Sequence, residues 1–365
     1  MTVSSVQPTS TQAACPTLPT NPSLKSITKL PDPFTFFSNG NRVTTKADWS
    51  CRLQEISQLF QKYELGTVPP KPQSVTGSLS GSTLTINVTD SGRSISFTVG
   101  ISTPSGTSAP YPGLIAYTAP SIPTPASVSV FTTTRQQQRG KGKFYTLYGS
   151  NHSVSTMMAW AWGVSRSIDA LETPNDANID LTKLAVTGCS RNDKGALVAR
   201  AFEERIALTI PQESGSGGAG CWGISDAIFK ARTSTQTASE IVDENVNAVP
   251  SLPIVHYLLA GLVAPRVLLI IDDTGIDWLG PKSVFGCMKT ANQIYQALGI
   301  PEKMGVSQVG NHNYCAFPSS EQGDLDAYIN KFLKGQNTNT TFVKTDGNLG
   351  FNDADWVDWT VPTLT

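Results

Sequence analysis

The chain is poor in histidine, in charge and in long apolar runs. Only three histidines stand among 365 residues, and no two of the six cysteines lie at zinc-ligand spacing. A metal site is therefore not expected, and nothing calls for a cofactor. Charged residues make up only 15%, with 27 Lys and Arg against 28 Asp and Glu. Without a positive excess there is no electrostatic reason to expect a nucleic-acid partner. No apolar run reaches transmembrane length, so no membrane span is expected. The opening MTVSSVQPTSTQAACPTLP lacks an apolar core, and no signal peptide is visible in it.

What replaces charge is Ser, Thr, Asn and Gln, a surface suited to neutral or weakly acidic polymers. The six cysteines are widely spread and even in number, which fits three disulfides, an oxidising compartment and secretion. The alternative is six buried thiols in a cytosolic enzyme. Sequence alone leaves the pairing open. Glycosylation sequons occur at Asn87, Asn151 and Asn339.

Residues 1–14 are rich in Ser, Thr, Pro and Gln and read as a disordered tail or linker remnant. Residues 15–365 read as one domain. A helix is expected over residues 50–62, Gly/Pro-rich loop over 66–78, and a β-hairpin where TLTINV and SISFTVGI flank DSGR. PGLIAYT reads as a strand and the Ser/Thr/Gln/Arg-rich stretch 126–143 as loop. Further on, helices (155–171, 190–203, ANQIYQALG, LDAYINKFL) alternate with strands (KLAVTG, RIALTIP, PRVLLIIDD, MGVSQVG). That alternation predicts an α/β-hydrolase fold, with a mostly parallel sheet covered on both faces.

KLAVTGCSRNDKG carries the chemistry. A buried strand runs into a sharp turn at Ser190, and a helix leaves at once. This is the layout of a nucleophile elbow, although Asn192 stands where the usual pattern has glycine. The bland reading makes Ser190 a helix N-cap. The Arg191 N–H is then an oxyanion donor, and its guanidinium adds a charged one. Lys194, one helical turn on, is placed to hold a sugar hydroxyl or carboxyl oxygen.

A carboxylate beyond a strand end can orient a histidine. Glu213 follows RIALTIP, while Asp272 and Asp273 end the next strand and occupy the commoner position. Of the histidines, His152 precedes the nucleophile, and His256 lies in the apolar stretch PIVHYLLAGL, where a satisfied core residue is expected. His312, in the loop after MGVSQVG, has the right order to be the base.

GCSRNDKGA, KYELGTVPPKP, RGKGKFYTLYG, ALTIPQESGSGGAGCW, GLVAPR, IDWLGP and CAFPS together resemble the fungal glucuronoyl esterases of carbohydrate esterase family fifteen. The resemblance implies a secreted, three-layer α/β/α sandwich. It implies cleavage of the ester between a lignin alcohol and the 4-O-methyl-D-glucuronic acid of glucuronoxylan, with no cofactor. Its partners are then glucuronoxylan and lignin–carbohydrate esters, and a monomer is expected. It makes Ser190 the nucleophile, Arg191 an oxyanion contributor and Glu213 the acid. It matches Lys194, Gln236, Glu244 and Trp278 to uronate-holding residues, and Trp222 to the same region. It pairs Cys15 with Cys51, Cys189 with Cys315, and Cys221 with Cys287.

There are departures. The family usually reads GCSRNGKG, and Asp193 replaces its second glycine. An aromatic-rich stretch after Glu244 is shortened to ENVNAVP. The family ends its last strand with G-x-H-x-H-C, the second histidine being catalytic; this chain reads G-N-H-N-Y-C, with Tyr314 there and only His312 left. The expected outcome is an esterase working through His312. The alternatives are a homologue that binds glucuronoxylan without cleaving it, and a general or acetyl xylan esterase.

Overall fold

All ten strands among the described residues join one sheet. The computed structural model describes residues 14–24, 27–105, 108–133, 139–173, 177–230 and 251–365. The strands are β1 Ser74–Ser80, β2 Thr83–Asp90, β3 Arg93–Ser102, β4 Tyr111–Tyr117, β5 Ser129–Thr133, β6 Ile179–Cys189, β7 Ile206–Gln212, β8 Val267–Asp272, β9 Met304–Gln308 and β10 Val343–Thr345. Their order is β1-β2-β3-β5-β4-β6-β7-β8-β9-β10. From β5 to β10 every neighbour is parallel, and β3, β2 and β1 extend that edge antiparallel. The expected hairpin is the β2–β3 pair, closed at Asp90 and Arg93.

The helices are α1 Lys46–Phe60, α2 Lys143–Tyr148, α3 Thr156–Leu171, α4 Arg191–Phe202, α5 Trp222–Lys230, α6 His256–Val263, α7 Pro281–Ala297, α8 Gln322–Phe332 and α9 Asp353–Trp356. Strand periodicity decides which face each side chain serves. On β8, Leu268 and Ile270 enter the core shared with α3, α4, α6 and α7. Val267, Leu269 and Ile271 enter the opposite core, closed by Leu325, Tyr328 and Ile329 of α8. The expected α/β/α sandwich follows from that alternation.

Three strands depart from expectation. β1 begins inside the stretch read as Gly/Pro-rich loop, and β5 lies inside 126–143. MGVSQVG was expected to be the last strand, yet β10 adds three residues beside β9. The fully buried strands announce themselves through apolar runs; β1 alternates exposed and half-buried residues and carries no such signal. The three disulfides implied by the resemblance are present: Cys15–Cys51, Cys189–Cys315 and Cys221–Cys287.

Candidate active site

The sheet's C-terminal edge collects the residues with chemistry. β6 is buried over its last six residues and ends at Cys189; Ser190 then turns the chain with φ 64° and ψ −126°. A non-glycine residue at such angles is held there by its surroundings. The Ser190 N–H donates to the Gln212 carbonyl at 3.0 Å. A Cβ at Gly188 would lie 2.5 Å from the Asn192 backbone, so only glycine lets the helix leave the strand this sharply. Asn192, in the place of the usual glycine, donates its side-chain amide to the Tyr117 carbonyl at 3.0 Å and so pins the first turn of α4 to β4. The Ser190 side chain makes no capping bond, which removes the N-cap reading. Arg191 is exposed in that first turn, and its guanidinium makes no hydrogen bond or ion pair among the described residues.

Glu213 follows β7 in a left-handed conformation, φ 53°, and is buried. One carboxylate oxygen accepts from Gln212 Nε2 at 2.7 Å and the other from the Cys315 N–H at 2.6 Å. Burial pushes this carboxyl above its ordinary range, and those two donors together with His312 pull the other way. One of its oxygens lies within 4.8 Å of both sulfurs of the Cys189–Cys315 disulfide. That disulfide fastens the elbow to the loop carrying His312, as the resemblance implies.

His312 is almost enclosed, its side chain 8% exposed. Nδ1 lies 3.8 Å from Glu213 Oε1 and 3.2 Å from the Asn313 carbonyl. Nε2 lies 2.9 Å from the Val309 carbonyl and 3.4 Å from Asp273 Oδ2. The structure thus brings His312 to Glu213, and Asp273 with them. No hydrogen bond joins His312 to the Ser190 hydroxyl among the described residues. Asp272 turns away from the ring and accepts from Gln308 Nε2 at 2.7 Å; burial drives its carboxyl well above the usual range.

The rest of the candidate set divides. Trp278 is 40% exposed and Tyr314 37%, and their rings meet edge to face at 4.8 Å. Lys194 is half-buried, its chain passing over Gly218. Trp222 is buried in the core against His256, with ring centroids 5.2 Å apart. Gln236 and Glu244 lie outside the described residues. His256 is a satisfied core histidine, with Nδ1 2.7 Å from the Gly218 carbonyl and Nε2 3.1 Å from Glu64. His152 accepts from the Val154 N–H and packs on Phe144.

Asp193, the departure beside the elbow, is disfavoured as an anion. It is buried, and desolvation pushes its carboxyl well above the usual range, with Asp272 and Glu213 adding to the push. Burial thus disfavours a negative charge at this position. Sequence reasoning passed over Gln212, whose side chain holds the acid and whose carbonyl holds the elbow. The available signal was a polar residue closing an otherwise apolar strand next to a candidate carboxylate.

Residues 86–299 match the family described as fungal glucuronyl esterase. A 4-O-methyl-glucuronoyl methylesterase from Hypocrea jecorina is 52% identical over 97% of this chain and 80% of its own length. One from Podospora anserina is 49% identical over 96% of this chain and 78% of its own. The glucuronoyl esterase catalytic domain from Hypocrea jecorina superposes with a TM-score of 0.91 at 52% identity, covering 95% of this chain and all of that one. A serine-to-alanine mutant of the Sporotrichum thermophile glucuronoyl esterase, in complex with methyl 4-O-methyl-β-D-glucopyranuronate, gives 0.91 at 44% identity, covering 96% of this chain and 99% of that one.

Proposed function

The chain belongs to the fungal glucuronoyl esterase family, and from that membership we propose a secreted serine esterase that cleaves esters of 4-O-methyl-D-glucuronic acid. Its substrates are glucuronoxylan uronates esterified to lignin alcohols. The observation that carries the reading is Ser190, on its strained turn, tied by a disulfide to the loop that sets His312 beside Glu213.

The chemistry follows from the residues. Ser190 Oγ attacks the uronate carbonyl carbon while its proton passes to His312. The Arg191 N–H and the start of α4 stabilise the oxyanion. The alcohol leaves with the proton from His312, and water releases the uronic acid by the same route. Glu213 orients the ring and balances the imidazolium. Lys194 and Trp278, with Gln236 and Glu244, hold the sugar; hydroxyl-directed hydrogen bonds then favour uronates over simple acetates.

For this His312 must turn from the Val309 carbonyl toward Ser190. Tyr314 is no substitute, since a phenol with pKa about 10 is a poor base at neutral pH. The parked ring favours one second reading, a homologue that binds glucuronoxylan without cleaving it.

Hydrolysis of benzyl glucuronate, set against p-nitrophenyl acetate, is the test. We expect uronate turnover that is abolished by Ser190→Ala and by His312→Ala. Equal or better turnover of the acetate would make the protein a general esterase. Full activity in Ser190→Ala would remove the nucleophile, and full activity in His312→Ala the base. Xylan binding without any turnover would establish the binding-only reading. Secretion is supported by all six cysteines being paired and by exposed Asn87, Asn151 and Asn339. Glycosidase treatment of protein secreted from a fungal host is expected to lower its mass.

A further inference from the structure

His312 is surrounded by acceptors. Its Nε2 faces the Val309 carbonyl and Asp273 Oδ2; its Nδ1 faces the Asn313 carbonyl and Glu213 Oε1. Carbonyls and ionised carboxylates only accept, so each of these contacts asks for an N–H on the ring. A ring that donates from both nitrogens has no lone pair left for the Ser190 proton.

The two carboxylates are not equivalent. Glu213, beyond β7, has both oxygens occupied, by Gln212 and by the Cys315 N–H. Asp273, beyond β8, accepts the Gly275 N–H through Oδ1 at 2.6 Å, and its buried Oδ2 has no hydrogen-bond partner. That free oxygen is the carboxylate atom nearest the imidazole, at 3.4 Å. Asp272 is turned to Gln308, and Asp346 accepts the Gly310 N–H at the far end of the same loop.

We propose that Asp273 is a positioning residue that competes with Ser190 for His312. Together with the Val309 carbonyl it parks the ring away from the nucleophile in the resting enzyme. To act, His312 releases both, gives the Nε2 proton to solvent water, and turns toward the Ser190 hydroxyl while Glu213 stays in place. The inference rests on His312 being the base.

Asp273→Asn tests it. The amide oxygen still serves Gly275, and an NH2 group replaces the unpaired oxygen. Losing a charged partner worth about tenfold in the parked equilibrium is expected to raise kcat on benzyl glucuronate by about three- to tenfold, with little change in KM. Removing a carboxylate beside an imidazolium disfavours the charged ring. The acidic limb of the kcat–pH profile is therefore expected to move to lower pH by about half a unit or more. Glu213→Gln is expected to lower kcat instead. An unmoved limb, or a fall in kcat matching that of Glu213→Gln, overturns the proposal. Should Asp273→Asn not fold, Asp273→Ser carries the same expectations. A second reading is independent of turnover: the NMR titration of His312 in Ser190→Ala, with and without Asp273→Asn. A midpoint lowered by the substitution supports the hold, and an unchanged one overturns it. A parent that never turns over counts against His312 as base and leaves this titration to decide the role of Asp273.

Discussion

The elbow and the histidine loop meet through one disulfide, yet they are built to different tolerances. At the elbow every degree of freedom is taken: Gly188 admits the Asn192 backbone, Gln212 accepts the Ser190 N–H, and Asn192 is tied to Tyr117. The loop opposite holds its backbone through left-handed Asn311 and Cys315, and through the Cys315 N–H on Glu213. Its one imidazole faces carbonyls and carboxylates rather than the nucleophile. A nucleophile needs a strained backbone that the local sequence can encode. A base needs only a side chain pointing the right way, which the carbonyls and carboxylates around the loop can redirect.

The largest expected effect comes from disturbing the tighter half. In Gly188→Ala the new methyl would sit 2.5 Å from the Asn192 main chain, which cannot swing aside like a side chain. The elbow must open, and a displacement of about 1 Å is expected to cost roughly 100-fold in kcat. Steady-state kinetics alongside a thermal melt check this. A folded variant with parental kcat would show the elbow to be no more constrained than the loop.

Next comes repair of the looser half. Tyr314→His puts an imidazole beside Cys315, where the family resemblance implies the base. We expect kcat to rise by about tenfold or more, since a correctly placed base is worth on the order of 100-fold or more. In that background His312→Ala should become nearly harmless. If Tyr314→His leaves kcat unchanged and His312→Ala still abolishes turnover, the loop is already working as it stands.

The same asymmetry explains what could be read from the sequence. β6, α4 and β7 were legible because a buried apolar run, a turn and a helix start are local signals. The hairpin β2–β3 was legible from alternation. β1 and β5 were hidden in polar stretches: β1 is an edge strand, and β5, although interior, is short and set among Ser and Thr, so both draw their pairing from neighbours rather than from an apolar run. Topology favoured the end of β8 for the acid while the family resemblance favoured Glu213. The fold sets carboxylates from both strand ends against one ring, which no spacing rule anticipates. The position of His312 was readable, but its direction was not, because that depends on the carbonyls of Val309 and Asn313 and on the backbone path of the loop.

A smaller effect is expected from the link between the halves. Replacing Cys189 and Cys315 together by serine frees the elbow from the loop, and losing such a crosslink typically costs about 2–4 kcal/mol of stability. If the two regions are held mainly by Glu213 bridging Gln212 and Cys315, kcat should fall less than about tenfold while the melting temperature drops. A collapse of kcat with stability preserved would instead make the disulfide the element that aligns the site.

The smallest effect sits under the elbow itself. Asp193 is buried, and desolvation with help from Asp272 and Glu213 raises its carboxyl well above the usual range. Between the unfolded value, about pH 4, and the raised folded one, the folded protein holds a proton there that the unfolded chain has released. Because the folded state binds more protons in that window, stability falls as pH rises from the unfolded value toward the folded one, and is regained on acidification. Asp193→Asn keeps the shape of the protonated acid and removes the linkage. We expect it to stabilise the protein at pH 7 by on the order of 1–3 kcal/mol, a shift of a few degrees in melting temperature. The gain should vanish near pH 4, where parent and variant both fold with a neutral group. Melting curves from pH 4 to pH 8 measure this directly. A pH-independent difference would mean that Asp193 is ionised in the folded state, and a charge would then stand beneath the oxyanion after all. The elbow would then carry an electrostatic burden of its own, and the contrast with the histidine loop would narrow.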